Sequence, residues 1–264
     1  MGVAALRRLY HALVPLGVRS ALRINRFAPS RRARASLWRR TGGRVAAGPF
    51  QGLLLAGDTP GACYGPDLIG SYECETHEWL EREIARGWPV VVNVGSAGGF
   101  YSTGLAMRLP HAMVYAFEVD DAMRAETLRA AERNGVAGRV RALGNADPAG
   151  LATLAVAAAL VVCDCEGCER ELLDPGLVPW LARSAICVEL HDFAARGATD
   201  SLRSRFDRTH RIAVVEQQPR DAAAWASRAG VPVADATVLT EETRRWGGTV
   251  LPGRWMLLSP VTPD

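Results

Sequence analysis

Between residues 75 and 190 the chain alternates short apolar runs with charged or amphipathic segments. The apolar runs predict strands at Pro89–Val94, Ala112–Phe117, Arg139–Leu143, Ala159–Cys163 and Ser184–Val188. The segments around them predict helices at Glu75–Arg86, Phe100–Leu109, Asp121–Arg133, Leu151–Ala158 and Cys168–Leu173. The strands lack polar alternation, which is typical of parallel strands covered by helices on both faces. We therefore predict a doubly wound, mostly parallel α/β sheet.

Two further strand-like runs, His210–Glu216 and Arg254–Ser259, follow this repeat. The long segment between them contains several glycines and prolines, unlike the short helical connections that precede it. We expect these two runs to form a final antiparallel pair.

The N-terminal part of the chain has a different charge. Residues 1–57 contain eleven arginines and no acidic residue, whereas the remainder contains 20 arginines and 28 acidic residues. Apolar residues at helical spacing predict helices at Val3–Leu13 and Val18–Phe27. We assign residues 1–57 to a basic helical extension and 58–264 to the α/β domain. The extension either packs on the domain or contacts an anionic membrane, an acidic glycan or nucleic acid, with no strong signal for nucleic acid.

Composition limits the class of protein. The chain has 264 residues, of which 48% are hydrophobic and 22% charged, as in an ordinary globular protein. No apolar run reaches the roughly 18 residues that a membrane-spanning helix requires. Six cysteines are too few for a disulfide scaffold of this length, and the N-terminus lacks a secretory signal pattern. We expect a cytoplasmic protein, with the basic extension as the candidate for peripheral contact with a membrane.

Four of the apolar runs end in a polar or acidic residue, namely Asn93, Glu118, Asp164 and Glu189. The carboxyl ends of parallel strands meet at one edge of a sheet, and ligands bind there near the point where the strand order reverses. One polar strand end is usually a solvated terminus. The same feature at four strands indicates a binding site.

A glycine-rich loop, Gly95–Phe100, follows the first of these strands and directly precedes a helix. Its backbone N–H groups can approach a nucleoside or an amino-acid carboxylate closely. Glu118 lies nineteen residues after Gly99, a spacing at which an acid accepts hydrogen bonds from ribose hydroxyls. An adenosine-type cofactor is therefore indicated. A nicotinamide or flavin is disfavoured, because Ala97 interrupts the dinucleotide pattern G-x-G-x-x-G.

From about Leu68 to Asp192 the sequence resembles the FkbM family of class I S-adenosylmethionine-dependent methyltransferases. The family's G-x-Y-E opening is similar to Gly70–Glu73, and its glycine motif D-V-G-A-x-x-G-x-Y-S is similar to Asn93–Ser102. Its motifs A-F-E, D-x-E-G-x-E and E-x-H are similar, in order, to Ala116–Glu118, Asp164–Glu169 and Glu189–His191.

The resemblance implies a Rossmann-like methyltransferase sheet of seven strands with the last strand inserted antiparallel. It implies methyl transfer from S-adenosylmethionine to a hydroxyl of a small molecule, natural product or glycan. The cofactor ligands that it implies are Tyr72, Glu73, Asn93, Gly95, Ser96, Gly99, Glu118, Asn145 and Asp164. Asn93 stands where the family has aspartate, so this position supplies no charge for the methionine ammonium. Glu73 is the candidate to supply that charge.

Asp164, Glu166, Glu189 and His191 form a candidate reaction centre. Their oxygens and imidazole suit a divalent cation such as Mg²⁺. They equally suit removal of a proton from the acceptor, with His191 as the first candidate for the base and Glu166 as the second. The alternative is that these residues bind the cofactor and cap helices.

Cys163, Cys165 and Cys168 raise a thiolate zinc site as a further alternative. Zinc requires four ligands, and no nearby C-x-x-C or histidine pair completes the set. Cys163 is more simply interpreted as a small buried apolar side chain.

The sequence is also compatible with two other classes of function. One is a noncatalytic binding module that keeps the fold and works through its arginine-rich extension. The other is a nicotinamide enzyme, which the interrupted glycine pattern disfavours. We expect a small-molecule or glycan acceptor, but its identity is not readable, because the segments expected to cover the site, Gln51–Cys74 and Phe193–Asp207, carry no motif.

Overall fold

The computed structural model describes residues 29–60, 62–154, 156–242 and 252–261, together with the backbone of two short strands between 245 and 250. The predicted helices Val3–Leu13 and Val18–Phe27 lie outside these residues. The strands are β1 (Val90–Val94), β2 (Met113–Phe117), β3 (Val140–Leu143), β4 (Leu160–Cys163), β5 (Ala185–Glu189), β6 (His210–Glu216), β7 (Arg245–Trp246), β8 (Thr249–Val250) and β9 (Arg254–Pro260).

Seven of these strands form one sheet in the order β3-β2-β1-β4-β5-β9-β6, while β7 pairs with β8. Strands β1 to β5 pair in parallel, whereas β9 is antiparallel to both of its neighbours, β5 and β6. The antiparallel pair predicted at the C-terminal end is therefore confirmed as β6 and β9. The seven strands and the inserted antiparallel strand also confirm the fold that the resemblance implies.

The helices are α1 (Pro29–Thr41), α2 (Gly65–Ile69), α3 (His77–Arg86), α4 (Phe100–Arg108), α5 (Asp121–Arg133), α6 (Pro148–Thr153), α7 (Glu169–Leu172), α8 (Ala198–Phe206), α9 (Ala222–Ala229) and α10 (Val233–Leu239). Helix α5 has the predicted bounds, because the Asp120 side chain accepts hydrogen bonds from the N–H groups of Ala122 and Met123. Within the described residues, no helix is long and apolar enough to cross a membrane.

Helix α6 differs from the prediction of Leu151–Ala158. It begins at Pro148, whose fixed φ and missing N–H suit the first turn of a helix. Asp147 caps it by accepting a hydrogen bond from the Gly150 N–H at 2.7 Å. The prediction was wrong here because Asp147 and Pro148 start the helix three residues earlier and the extended backbone of Leu154 ends it.

Both faces of the sheet are covered. Along β1, Val91 belongs to one buried apolar cluster and Val92 to another. Leu105 of α4 lies in the first cluster, and Leu202 of α8 lies in the second. Because both faces of the strands are buried, they need no polar alternation, which explains the sequence pattern.

Residues 29–57, which the sequence assigns to a separate extension, pack into the first of these clusters. Ala33 and Leu37 of α1 are buried, as are Phe50 and Leu53 in the segment that follows. Helix α1 packs against α2 and α10. The boundary at residue 57 therefore falls inside a continuous core. For residues 29–57 the structure agrees with the first alternative given for the extension, packing on the domain, because burial of these apolar side chains stabilises the packed arrangement.

Candidate functional site

The sheet reverses its direction of strand addition at β1, because β2 and β3 lie on one side of it and β4 and β5 on the other. Asn93 lies next to the last residue of β1, and Glu189 ends β5. Glu118 and Asp164 directly follow β2 and β4. Since these strands are parallel and pair in register, the four polar strand ends meet at one edge, as predicted.

Two cavities open at this edge. The first has a volume of about 290 Å³, and its predicted site residues are Tyr72, Glu73, Asn93, Gly95, Ser96, Gly99, Asp164 and Glu189. The second has a volume of about 320 Å³, and its predicted site residues are Gly95, Glu118, Asn145, Asp164 and Glu166. Gly95 and Asp164 line both. The cavities therefore meet where β1 and β4 end, at the reversal point of the sheet.

The loop after β1 requires glycine at its first position. Gly95 has a φ of +74°, and a Cβ atom there would lie 1.6 Å from the carbonyl oxygen of Asp164. The N–H groups of Gly95 and Ser96 both donate to the carbonyl of Phe117, at 2.9 and 3.0 Å. The loop is thus fastened to the end of β2 while its first residue lies against the end of β4.

Glu118 holds the same loop through its side chain. Its Oε2 accepts a hydrogen bond from the N–H of Ala97 at 2.9 Å, and its Oε1 accepts one from the N–H of Asp120 at 3.0 Å. Each carboxylate oxygen has more than one acceptor site. The ribose contact that the sequence predicts for Glu118 is compatible with these bonds and stays a prediction.

Asn93 uses its amide inside the protein. Its Nδ2 donates to the carbonyl of Val162 at 3.3 Å, and its Oδ1 accepts from the hydroxyl of Ser102 at 2.7 Å. The side chain therefore ties β1 to β4 and to α4. An amide fits because one end must donate and the other accept, whereas an aspartate would set its second oxygen against the Val162 carbonyl.

Glu73 brings a buried carboxylate to the first cavity. Its Oε2 accepts a hydrogen bond from the hydroxyl of Tyr101 at 2.6 Å. Its φ of +49° is a strained conformation for a residue with a side chain, at a cost on the order of 1–3 kcal/mol. The turn is held at both backbone groups: the Glu73 N–H donates to Oε2 of Glu242 at 3.2 Å, and the Glu73 carbonyl accepts from the N–H of Thr76 at 2.9 Å.

Backbone strain is concentrated around the cavities. Among the described residues, the non-glycine positions with positive φ are Glu73, Ala97 and Glu166. Glu73 and Ala97 line the first cavity, and Glu166 lines the second. Because strained conformations persist mainly where function requires them, their placement supports this edge as the functional site.

His191 is buried among carboxylates. Its Nδ1 donates a hydrogen bond to Oε1 of Glu169. Its Nε2 lies 3.6 Å from Oδ1 of Asp164, 3.5 Å from Oε2 of Glu166 and 3.9 Å from Oε1 of Glu189. The four residues of the predicted reaction centre are therefore in contact with one another through the imidazole.

These neighbours raise the pKa of His191 above its ordinary value. Burial is the largest single influence and acts to lower this pKa. The hydrogen bond to Glu169 and the negative charges of Glu169, Asp164 and Glu166 act in the opposite direction and together outweigh burial. The imidazole therefore holds its proton to a higher pH than a histidine in water does.

Glu169 contacts the candidate site but is not among the residues that the sequence predicts for it. It is fully buried, and its Oε1 also accepts a hydrogen bond from the N–H of Gly167 at 3.0 Å. By accepting from Nδ1 it orients the imidazole so that Nε2 faces Asp164 and Glu166. The last glutamate of the motif Asp164–Glu169 was the available signal, but its position in a predicted helix gave no reason to pair it with His191.

The loop between β4 and α7 contains a disulfide between Cys165 and Cys168. Sequence analysis did not predict this bond. It takes up two of the three cysteines that are candidates for zinc ligands, so the structure does not support that alternative. Cys163 is a free thiol, and burial raises its pKa well above the ordinary value, as expected for a small side chain in the core.

Both segments expected to cover the site contact it. Leu53 and Tyr64, from the segment Gln51–Cys74, line the first cavity. The ring of Phe193 lies edge-on to the imidazole of His191, with 5.4 Å between the ring centroids.

The site is acidic. The ligand atoms of Asp164, Glu166 and His191 all lie within 4.8 Å of one another, as do those of Glu73, Asp164 and Glu189. Among the described residues, no arginine lines either cavity, although the chain is rich in arginine. This arrangement suits a positively charged or neutral ligand better than an anion.

Comparisons with known proteins give fold-level matches only. No family model and no curated protein sequence matches the chain. Cofactor-bound Rv0187 from MTB is 16% identical, with coverage of 70% of this chain and 80% of that chain and a TM-score of 0.46. The O-methyltransferase TomG from Streptomyces achromogenes, in complex with SAM, is 12% identical over 87% and 89%, with a TM-score of 0.44. An rRNA methylase from Streptococcus thermophilus is 12% identical over 69% and 95%, with a TM-score of 0.47. Such low values carry no argument about function, which rests on the site.

Proposed function

We propose that this protein is an S-adenosylmethionine-dependent methyltransferase. The observation that carries the proposal is the pair of cavities that meet at Gly95 and Asp164, at the reversal point of the sheet. One cavity contains the acid that follows β2, which suits a ribose. The other contains buried carboxylates, which suit a cationic amino-acid group. A ligand with a nucleoside at one end and a charged amino acid at the other matches both.

In this proposal the adenosine occupies the second cavity, where Glu118 accepts hydrogen bonds from the ribose and Asn145 lies near the base. The methionine part occupies the first cavity. Glu73 there faces the ammonium and replaces the charge that Asn93 lacks. Ser96 supports this arrangement, because its buried hydroxyl lines the first cavity and has no hydrogen-bond partner among the described residues. A buried hydroxyl of this kind is expected to bond to a ligand or water.

The chemistry that we propose is methylation of a hydroxyl. The acceptor oxygen attacks the methyl carbon as the carbon–sulfur bond breaks, and the electron pair of that bond stays on sulfur in S-adenosylhomocysteine. The acceptor's proton passes to Nε2 of His191, with Glu166 as the second candidate. Glu169 would keep Nδ1 protonated, so that Nε2 is the nitrogen that accepts.

The acceptor that we propose is a neutral or cationic small molecule or glycan. The support is electrostatic: the walls of both cavities carry carboxylates and, among the described residues, no arginine. A phosphate or a carboxylate on the acceptor would be repelled near the reacting oxygen.

A divalent cation is a further proposal for the same residues. The oxygens of Asp164 and Glu166 and the imidazole of His191 are close enough to share one magnesium-type ion, and an oxygen of Glu189 lies 3.9 Å from the same imidazole. Such an ion would supply Lewis-acid activation of the acceptor oxygen. Loss of turnover on chelation, restored by magnesium or manganese, would support it, and full turnover with chelator would exclude it.

Calorimetric titration with S-adenosylhomocysteine tests the cofactor assignment. Glu118→Ala should weaken binding by about 1–3 kcal/mol, because ribose hydroxyls would be left without an acceptor. Glu132→Ala, an exposed acid on α5, is the matched control and should leave affinity unchanged. Equal affinities of the Glu118 variant and the unmodified protein would overturn the assignment.

The noncatalytic binding module is the alternative, favoured by the internal use of the Asn93 amide. It predicts no heat on titration with S-adenosylhomocysteine. It also predicts salt-sensitive binding of the full chain to anionic vesicles through the N-terminal arginines. Titration with NAD serves as the matching test for a nicotinamide enzyme.

A further inference from the structure

The turn that carries Glu73 is held by residues from the far end of the chain. Glu242 accepts the Glu73 N–H on Oε2, and the same oxygen lies 2.8 Å from Nη2 of Arg220. Nη1 of Arg220 donates to Oε1 of Glu75, two residues after Glu73. One guanidinium therefore holds the turn at two points. It contacts Glu75 directly, and it contacts the backbone of Glu73 through Glu242.

This cluster is buried. The side chains of Arg220, Glu75 and Glu242 are 8%, 6% and 1% exposed. Glu75 is also bonded to the backbone that follows β6, because its Oε1 accepts a hydrogen bond from the N–H of Gln218 at 2.7 Å. The two glutamates and their hydrogen bonds raise the pKa of Arg220, against the lowering effect of burial, which is the largest single influence.

Stability alone does not explain why the chain has this buried ion-pair cluster. A buried ion pair loses much of its Coulomb attraction to desolvation, and apolar residues of similar volume would often stabilise the protein as well. Its contacts instead converge on the residue whose carboxylate enters the first cavity. We propose that Arg220, acting through Glu242, is a positioning residue that holds the Glu73 carboxylate toward the ammonium of the cofactor's amino-acid part. This inference rests on the methyltransferase function proposed above.

Two ligands separate positioning from general support of the fold. S-adenosylhomocysteine carries the amino-acid ammonium, whereas 5′-methylthioadenosine has the same nucleoside without the amino acid. Arg220→Met should weaken binding of S-adenosylhomocysteine about tenfold or more, the loss expected for a charge-assisted contact. Its affinity for 5′-methylthioadenosine should not change. In a Glu73→Gln background, Arg220→Met should have no further effect, because the two residues act in series.

Arg86→Met is the matched control. Arg86 pairs with Glu83, whose side chain is 2% exposed. It is the last residue of α3 and precedes the first residue of β1, whereas the site lies at the other end of that strand. This variant loses an ion pair to a buried glutamate and should bind both ligands as the unmodified protein does.

The outcomes are distinct. If the unmodified protein binds neither ligand, the proposed function fails. If it binds both, and Arg220→Met weakens both equally or neither, the positioning role is overturned while the function stands. Should Arg220→Met not fold, Glu242→Gln replaces it. This variant is expected to weaken S-adenosylhomocysteine alone, and unchanged affinity for that ligand would contradict the inference.

Discussion

Single residues in this site owe their chemistry to neighbours distant in sequence. His191 has its ring fixed by Glu169, which lies 22 residues earlier, and its pKa is raised by that contact and by nearby carboxylates. Asp67 lines the first cavity, and burial acts on it in the other direction than on His191. Burial, together with the charges of Glu73 and Glu242, raises the pKa of the Asp67 carboxyl to about 8. Each gives a prediction with a definite dependence on pH.

If His191 is the base, turnover should rise with pH, because only the unprotonated imidazole can accept a proton. The midpoint should lie above the ordinary histidine pKa of about 6.5, since the folded-state value is raised. Glu169→Gln should move the midpoint to lower pH, because it removes a negative charge beside Nδ1. His191→Ala should lower the turnover number by about 10²–10⁴. A pH profile that is identical in the Glu169 variant would remove His191 from the reaction.

Asp67 makes stability depend on pH. The folded state keeps the carboxyl proton up to pH about 8, whereas the unfolded chain releases it near 3.8, so the free energy of unfolding falls as pH rises between these values. Asp67→Asn removes this loss. Its stability relative to the unmodified protein should increase through that window, by at most about 1.4 kcal/mol per pH unit. Urea unfolding at several pH values measures this. Asp58→Asn, at a side chain 89% exposed, is the control, and a flat difference at Asp67 would contradict the prediction.

Among the elements, α1 shows that charge content does not decide whether a segment packs. It carries five arginines, yet Ala33 and Leu37 on one face are buried against α2 and α10. The loop between β4 and α7 shows that a short connection can have a specific backbone shape. Its disulfide and its two residues with positive φ shape the backbone that carries Glu166.

Truncation tests whether α1 is part of the folded domain. Deletion of residues 1–45 should unfold the domain, because it removes the buried residues of α1. The point substitution Leu37→Ala should lower the free energy of unfolding by about 2–5 kcal/mol, as for other buried leucines. Arg39→Ala, at an exposed position of the same helix, should change it little. Thermal unfolding of these variants is the measurement. A stable protein lacking residues 1–45 that still binds S-adenosylhomocysteine would show that α1 is dispensable.

In the whole molecule, the site exists because two strand ends that are distant in sequence lie side by side. β1 and β4 pair directly, so Gly95 and Asp164 touch, and these two residues line both cavities. A ligand that spans both cavities must pass this junction.

Gly95→Ala should therefore abolish binding of S-adenosylhomocysteine, because a Cβ atom 1.6 Å from the Asp164 carbonyl would force the strand ends apart. Gly98→Ala is the matched control in the same loop. Its Cβ would meet only Oε2 of Glu126 at 3.3 Å, the end of a flexible side chain, so affinity should change by less than about 1 kcal/mol. Calorimetry compares the two, and equal affinities would show that the ligand does not cross the junction.

Local patterns determined much of this protein. The alternation of apolar and charged segments was enough to predict the strands of the parallel sheet, because side chains buried on both faces leave a periodicity in the chain. Polar residues at strand ends were enough to predict that Asn93, Glu118, Asp164 and Glu189 meet at one edge, since parallel strands bring their carboxyl ends together there. The cap at Asp120 and the pairing of β6 with β9 also followed from nearby residues and segment composition.

Tertiary structure decided the contacts between residues far apart in the chain. Glu242 meets Glu73 across 169 positions, and Arg220 meets Glu75 across 145. The Asn93 amide is engaged by Val162 and Ser102, so its effect on the site depends on strand register and helix placement. The sequence carries no local sign of such contacts, because each depends on how separate elements pack, and a one-residue change in register would bring different side chains together.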